Sequence, residues 1–176
     1  KATAVLCTAT QPSLNKFFFF FYKPKEICSD IEELYDFFKR VSYFNLGKIS
    51  LEKLVNALNK EKQVLCITNS KKEAQEIFGL LECKNKYHLT TFMYPEHRRI
   101  VLKKIRECLK RGQPCQVVST SLIEAGVDVD FPTVFREMAG IDNIIQAGGR
   151  CNREGKHTLD SSCVYVYSLD NTTVKI

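Results

Sequence analysis

Two arginines three positions apart, Arg150 and Arg153, close the stretch "IDNIIQAGGRCNREGK" (141–156) and are the residues best equipped for chemistry. If the helix from Asn143 runs on past Gly148 and Gly149, both guanidiniums share one face, because residues three apart are helical neighbours. Such a pair can clasp an anion through forked, charge-assisted hydrogen bonds. A second reading is open, in which two basic residues complement the negative end of a helix dipole. Gln146 and the glycines favour the clasp, since capping requires neither. Each glycine costs a helix about 1 kcal/mol relative to alanine, which implies close backbone approach to something. A nucleotide phosphate is the expectation.

A second candidate region is "VVSTSLIEAGVDVDFP" (117–132). An apolar strand there runs into the hydroxyls of Ser119, Thr120 and Ser121, then a short turn, then Gly126 and Asp128. Glycine permits close backbone approach or a positive φ, and Asp128 can accept hydrogen bonds from a ribose or pair with an arginine. Asp128 and Asp130 can also be read as a metal pair, or as a turn and its exposed flank. "GRCNREGKH" (149–157) resembles the phosphate loop GxxxxGK[ST], but its spacing is one residue too long and His157 stands where a hydroxyl should hold magnesium. No other stretch supplies such a loop, and no acidic pair of the magnesium-binding type is present.

These residues need a scaffold, and the hydrophobic pattern supplies one. Short apolar runs, "VSYFNL" (41–46), "QVLCIT" (63–68), "YHLTT" (87–91), "CQVVST" (115–120), "TVFREM" (133–138) and "CVYVY" (163–167), alternate with helical patterns over 30–40, 50–60, 69–82 and 95–112. Ser70 and Glu73 read as a capping box, Pro95 as a helix start and Gly112 as a helix end. Apolar strands separated by amphipathic helices predict an α/β fold, a mostly parallel sheet with helices on both faces. In such sheets ligands gather beyond the carboxyl ends of the strands. That directs attention to Thr8–Thr10, Asn69–Lys71, Thr90–Phe92 and Ser119–Ser121. The helix at 95–111 carries Arg99, Lys103, Arg106 and Lys110 along one stripe, a solvated face or a phosphate-tracking surface.

Composition bounds the rest. The chain has 176 residues, 44% hydrophobic and 26% charged, which suits one globular domain. The net charge of +6 is compatible with a polyanionic partner. No apolar run reaches membrane-spanning length; "FFFFFY" (17–22) is far too short. The opening "KATAVLCTAT" lacks the pattern of a secretory leader and reads as a cut through a larger protein. Of the eight cysteines, Cys7, Cys66, Cys108, Cys151 and Cys163 fall in apolar stretches, no CxxC pair exists, and neither His88, His97 nor His157 completes a zinc-like spacing. Reduced, buried thiols in a cytoplasmic protein are the expectation.

Taken together, "TAT" (8–10), "STSLIEAGVDVD" (119–130) and "QAGGRCNREG" (146–155) resemble motifs III, V and VI of superfamily 2 helicases. The block from Leu122 to Gly155 is similar in detail to the CRISPR-associated helicase–nuclease of type I interference systems, and the likeness is strongest over 88–156. The resemblance implies RecA-like architecture: residues 1–12 ending a first motor domain, 13–28 a linker, and 29–176 the second motor domain. It implies ATP and Mg2+, bound mainly by the first motor domain, translocation on single-stranded DNA, an HD nuclease domain in the same protein, and recruitment by the Cascade surveillance complex. Arg153 would be the arginine finger, with Arg150 and Gln146 at the same interdomain cleft. Gly126 and Asp128 would sense nucleotide. Thr120 and Ser119 would contact the DNA backbone, as would Ser70 and Lys71 at a helix N-terminus. Thr8 and Thr10 would couple hydrolysis to DNA movement. Phe92 stands where relatives often carry a polar or basic residue, so the resemblance carries no DNA contact to it, and the Phe17–Phe21 run matches nothing in the family. Without phosphate loop, acidic pair or HD ligands, the chain alone is expected to be inactive. Another superfamily 2 helicase and a RecA-like binding module without motor activity are the alternative readings.

Overall fold

A computed structural model describes residues 27, 30–123 and 127–170. The chain divides into two compact units, Lys1–Lys39 and Arg40–Ile176. Within the first, one helix is described, α1 (Ile31–Phe37). The second carries β1 (Ser42–Ile49), α2 (Leu51–Lys60), β2 (Gln63–Thr68), α3 (Lys71–Leu80), β3 (Lys86–Leu89), α4 (Pro95–Lys110), β4 (Cys115–Thr120), β5 (Thr133–Glu137), α5 (Ile141–Gly148) and β6 (Cys163–Leu169). The six strands form one sheet in the order β1-β6-β5-β2-β4-β3, and every neighbouring pair is parallel. Thr8, Thr10, Gly126 and the Phe17–Phe21 run lie outside the described residues.

Local chemistry sets the helix limits. Ser50 caps α2, its hydroxyl accepting from the Lys53 N–H, and Ser70 caps α3 by accepting from Glu73 at 3.4 Å. Half of the expected capping box is therefore present. The Glu73 carboxylate departs from it: Oε2 is buried without a hydrogen-bond partner, and burial, then the nearby Glu137 charge, raises its pKa. Pro95 opens α4. Gly112, at φ +61, closes it with a paired C-terminal motif, Gln113 N–H donating to Cys108 C=O and Gly112 N–H to Leu109 C=O, both at 3.0 Å.

The period-2 alternation of the central strands feeds two cores. Leu65 and Ile67 of β2, Val117 of β4 and Val134 of β5 pack with Leu102, Ile105 and Ala147 from α4 and α5. Val64, Cys66, Val118, Phe135 and Tyr167 face the other way, against Leu54, Leu58, Ala74 and Ile77 of α2 and α3. A fully buried side chain of this size contributes about 1.5–3 kcal/mol. These cores fix where the strands end, and hence where the loops that could do chemistry begin.

The helix leading to the arginines ends sooner than expected. Helix α5 stops at Gly148 with Gly149 as its C-cap, so Arg150 and Arg153 do not share a helical face. Gly148 also has a reason other than a phosphate. A Cβ there would run into the Tyr43 hydroxyl of β1, with the ring Cζ at 2.9 Å. Substituting Gly148→Ala should gain the helix about 1 kcal/mol, but displacing the ring costs about 1–3 kcal/mol, so a net loss is expected. In a Tyr43→Ala background the same substitution should become neutral or stabilising. Urea denaturation of the four proteins measures this sign change, and equal effects in both backgrounds would contradict the packing.

The thiols give a second check. Burial pushes Cys66, Cys115 and Cys151 each up to about 12. In the folded protein all three should resist alkylation at about pH 8, and react once guanidinium unfolds the chain, because only the thiolate attacks. Rapid labelling of any of them in the native state, read by mass spectrometry, would contradict this core.

Candidate functional site

The segment after α5 is held by backbone and side-chain groups far away in sequence. Arg150 and Cys151 continue the turn, their N–H groups donating to Ala147 and Gly148 at 2.9 Å. Phe131 then pairs with this stretch: its N–H donates to Arg150 C=O at 2.9 Å, and its C=O accepts from Asn152 N–H at 3.0 Å. Phe131 and the arginine loop are thereby bonded side by side.

Asn152 shapes the bend. It adopts φ +45, in the left-handed region that asparagine tolerates better than most residues. Its buried amide donates to Arg40 C=O at 2.9 Å and to His157 C=O at 2.8 Å, and accepts from His157 N–H at 3.0 Å. Asp130 completes the hold, its carboxylate accepting from the N–H groups of Arg153 at 2.7 Å and Glu154 at 3.3 Å. Both Asp130 oxygens are thus engaged by main chain, and the segment reads as a loop latch and not as half of a metal pair.

The charged groups converge where the sequence led one to look, by a different route. Asp128 Oδ1 lies 3.0 Å from Arg153 Nε, in a pair whose side chains are 46% and 76% exposed on the arginine and aspartate sides. Arg150 is buried, and its pKa is lowered by burial and then by the Arg153 charge, with Asp128 opposing both. Arg106 of α4 donates to Asp128 C=O at 2.8 Å, which takes it out of the free basic stripe. Arg99 is engaged too, in a bidentate pair with Glu96. Gln146 sits half-buried on α5, and Gly149 is exposed.

The other predicted residues lie at the ends of β2 and β4, which pair in register, Ile67 with Ser119 and Thr68 with Thr120. Ser119 is fully buried, and its hydroxyl donates to Thr120 C=O at 2.9 Å. Thr120 is buried at the strand's end. Thr68 donates to Ser70 C=O at 2.9 Å, fixing the N-cap of α3, and Lys71 begins that helix exposed, its Nζ 3.8 Å from the centroid of the Phe92 ring.

Several residues of this arrangement escaped the sequence reading. Arg136, 2% exposed within β5, donates to Asn69 Oδ1 at 2.7 Å and to Glu137 C=O at 2.8 Å. Asn69 N–H in turn donates to Glu137 Oε2 at 2.6 Å, and its amide to Met138 C=O at 2.8 Å. The loops after β2 and β5 are clamped together by this network. Its signal was an arginine inside an apolar strand, since a charge in such a place is rarely buried without partners. The latching roles of Asn152 and Asp130 were not legible locally, because Arg40 and the Arg153–Glu154 main chain lie far from them in sequence.

Comparison with known proteins completes the assignment. The family described as CRISPR-associated nuclease/helicase Cas3, C-terminal, matches residues 60–156, more than half of the chain. A Cas3 nuclease/helicase of Haloferax volcanii is 42% identical over 76 residues, covering 43% of this chain and 8% of that protein. One from Methanothermobacter thermautotrophicus is 35% identical over 123 residues, covering 66% of this chain and 13% of that protein. The chain therefore corresponds to a small part of these relatives' length. Among solved structures, T. fusca Cas3 with ATP superposes with a TM-score of 0.61 at 16% identity, over 77% of this chain and 19% of that one. Mycobacterium smegmatis helicase Lhr bound to ssDNA and AMP-PNP gives 0.55 at 16% identity, over 73% and 20%. A chain of a CRISPR RNA-guided surveillance complex in a pre-nicking state gives 0.57 at 19%, over 77% and 19%. At these identities the structural likeness establishes the RecA-like helicase fold, and the sequence match establishes the lineage: this chain belongs to the C-terminal helicase family of the CRISPR-associated nuclease/helicase Cas3.

Proposed function

We propose that this chain supplies the second motor domain of an ATP-dependent single-stranded DNA translocase acting in type I CRISPR interference. The observation that carries the reading is the loop that joins Arg150, Arg153 and Asp128, held by Asp130 and Asn152. Arg153 acts as the arginine finger on ATP held mainly, with Mg2+, by the first motor domain, and Arg150 and Gln146 border the same cleft. A guanidinium pair suits polyphosphate, whereas the engaged Asp130 carboxylate does not suit a metal. ATP, when bound, supplies a γ-phosphoryl group whose transfer develops charge on its oxygens; Arg153 neutralises that charge.

The Asp128 partnership is consistent with this role. An ion pair as exposed as Arg153–Asp128 is worth about 0–1 kcal/mol, so Arg153 can leave it for a phosphate at little cost. Asp128 holds the guanidinium until then, and with Gly126 it senses nucleotide. Along the DNA, Thr120, Ser70 and Lys71 meet the backbone. Ser119, whose hydroxyl points inward, serves this track by fixing the Thr120 carbonyl. Thr8 and Thr10 couple hydrolysis to movement. The first motor domain, an HD nuclease domain, single-stranded DNA and the Cascade complex are the partners, in a cytoplasmic antiviral defence.

The test is DNA-stimulated ATP hydrolysis by the full-length protein, wild type against Arg153→Ala, with folding verified in both. A loss of about 10³-fold or more is expected of a finger. Hydrolysis at the wild-type rate would return Arg153 to a structural role and favour a binding module without motor activity. Separately, single-strand affinity of the domain should fall between about 50 and 200 mM salt, since the proposed backbone contacts release counterions. A salt-independent affinity would remove Lys71 from the track, since it is the cation that displaces counterions from the phosphates.

A further inference from the structure

Among the described residues, Phe92 is the most exposed of the large hydrophobic side chains. It is 81% exposed, in the turn that follows β3, while the next residue, Met93, packs against the core. The turn is fixed: Met93 N–H donates to Thr90 C=O at 3.1 Å, and Phe92 N–H to the Thr90 hydroxyl at 3.4 Å. Inward Met93 and a hydrogen-bonded turn hold Phe92 outward as a constant feature of the surface. Lys71 Nζ sits over the ring, 3.8 Å from its centroid. Two residues on, Tyr94 is 65% exposed and lies against His97, ring centroids 5.6 Å apart.

An exposed aromatic ring bordered by a cation suits one kind of partner better than another. The buried centre of a protein–protein interface is depleted of lysine, whereas strands of nucleic acid are held by aromatic faces for the bases and cations for the phosphates. We propose that Phe92 is a base-stacking residue for single-stranded DNA, with Lys71 meeting the adjacent phosphate and Tyr94 extending the platform. This rests on the reading of Lys71 as a strand contact and adds to it a contact with the bases. The stack exceeds the solvent-exposed cation–aromatic contact in strength, so a base can take the ring's open face or displace Lys71 to a phosphate.

The experiment measures binding of the full-length protein to fluorescein-labelled oligothymidine and to an abasic oligonucleotide of the same length, compared at matched salt concentrations between about 50 and 200 mM. Phe92→Ala should weaken oligothymidine binding by about 5- to 150-fold, the range that one base–aromatic stack provides, and leave the abasic affinity at its wild-type value. Phe92→Trp should retain the oligothymidine affinity. Lys71→Ala should weaken both ligands and reduce the salt slope by about one. Equal losses on both oligonucleotides for Phe92→Ala, or no loss on either at an unchanged melting temperature, would overturn the stacking role. A fall in melting temperature with unchanged DNA affinity would also overturn it, assigning the ring to contact with another part of the protein. These outcomes are independent of Arg153: base-dependent loss at Phe92 stands even where Arg153→Ala leaves hydrolysis intact.

Discussion

A single carboxylate organises the candidate site. Asp130 takes the N–H groups of Arg153 and Glu154, and charge-assisted bonds of this kind are about twice as strong as neutral ones. The bond joins two segments that the chain keeps apart, the run ending at Phe131 and the loop beyond α5. Everything nearby depends on that register. It sets Asp128 beside Arg153, and it lets Phe131 exchange main-chain bonds with Arg150 and Asn152. With the Asn152 amide, it keeps a loop that holds two like charges in one shape.

Around that link, burial divides the labour. Arg150 is enclosed and faces both a cation and a carboxylate, whereas Arg153 is half exposed and has only a solvent-screened partner. One guanidinium is set in place, and the other is free to swing at low energetic cost. The clamp of Asn69, Arg136 and Glu137 plays a similar part across the sheet, tying the loop after β2 to the loop after β5. Rigid surroundings with one lightly tethered cation suit a site that must wait for a ligand.

Much of this could be read from the residues alone. The limits of β2 and β4 coincide with the predicted runs because both strands are buried on both faces and their centres are apolar. The caps at Ser70, Pro95 and Gly112 follow from local chemistry. What escaped was long-range. Gly148 packs against Tyr43, more than a hundred residues away, so a glycine pair that suggested a phosphate is half explained by a tyrosine ring. Asp130 read as one of two aspartates near a turn, since its partners lie 23 and 24 residues on. The arginines' company was legible through motif resemblance, but not the loop geometry that produces it. The shared helical face required the helix to run on past the glycines, and it stops at Gly148.

The pairing of β1 with β6 joins residues 42–49 to 163–169, and the Asn152 amide bonds to Arg40 at the same margin. Contacts so distant in sequence form only after most of a chain has collapsed, because loop closure must come before their reward. During synthesis β1 therefore cannot pair until β6, more than a hundred residues further on, has been made. The holds on the arginine loop, by contrast, come from Arg40, Asp130 and Phe131, all of which precede it in the chain, so that loop has its partners before β6 exists.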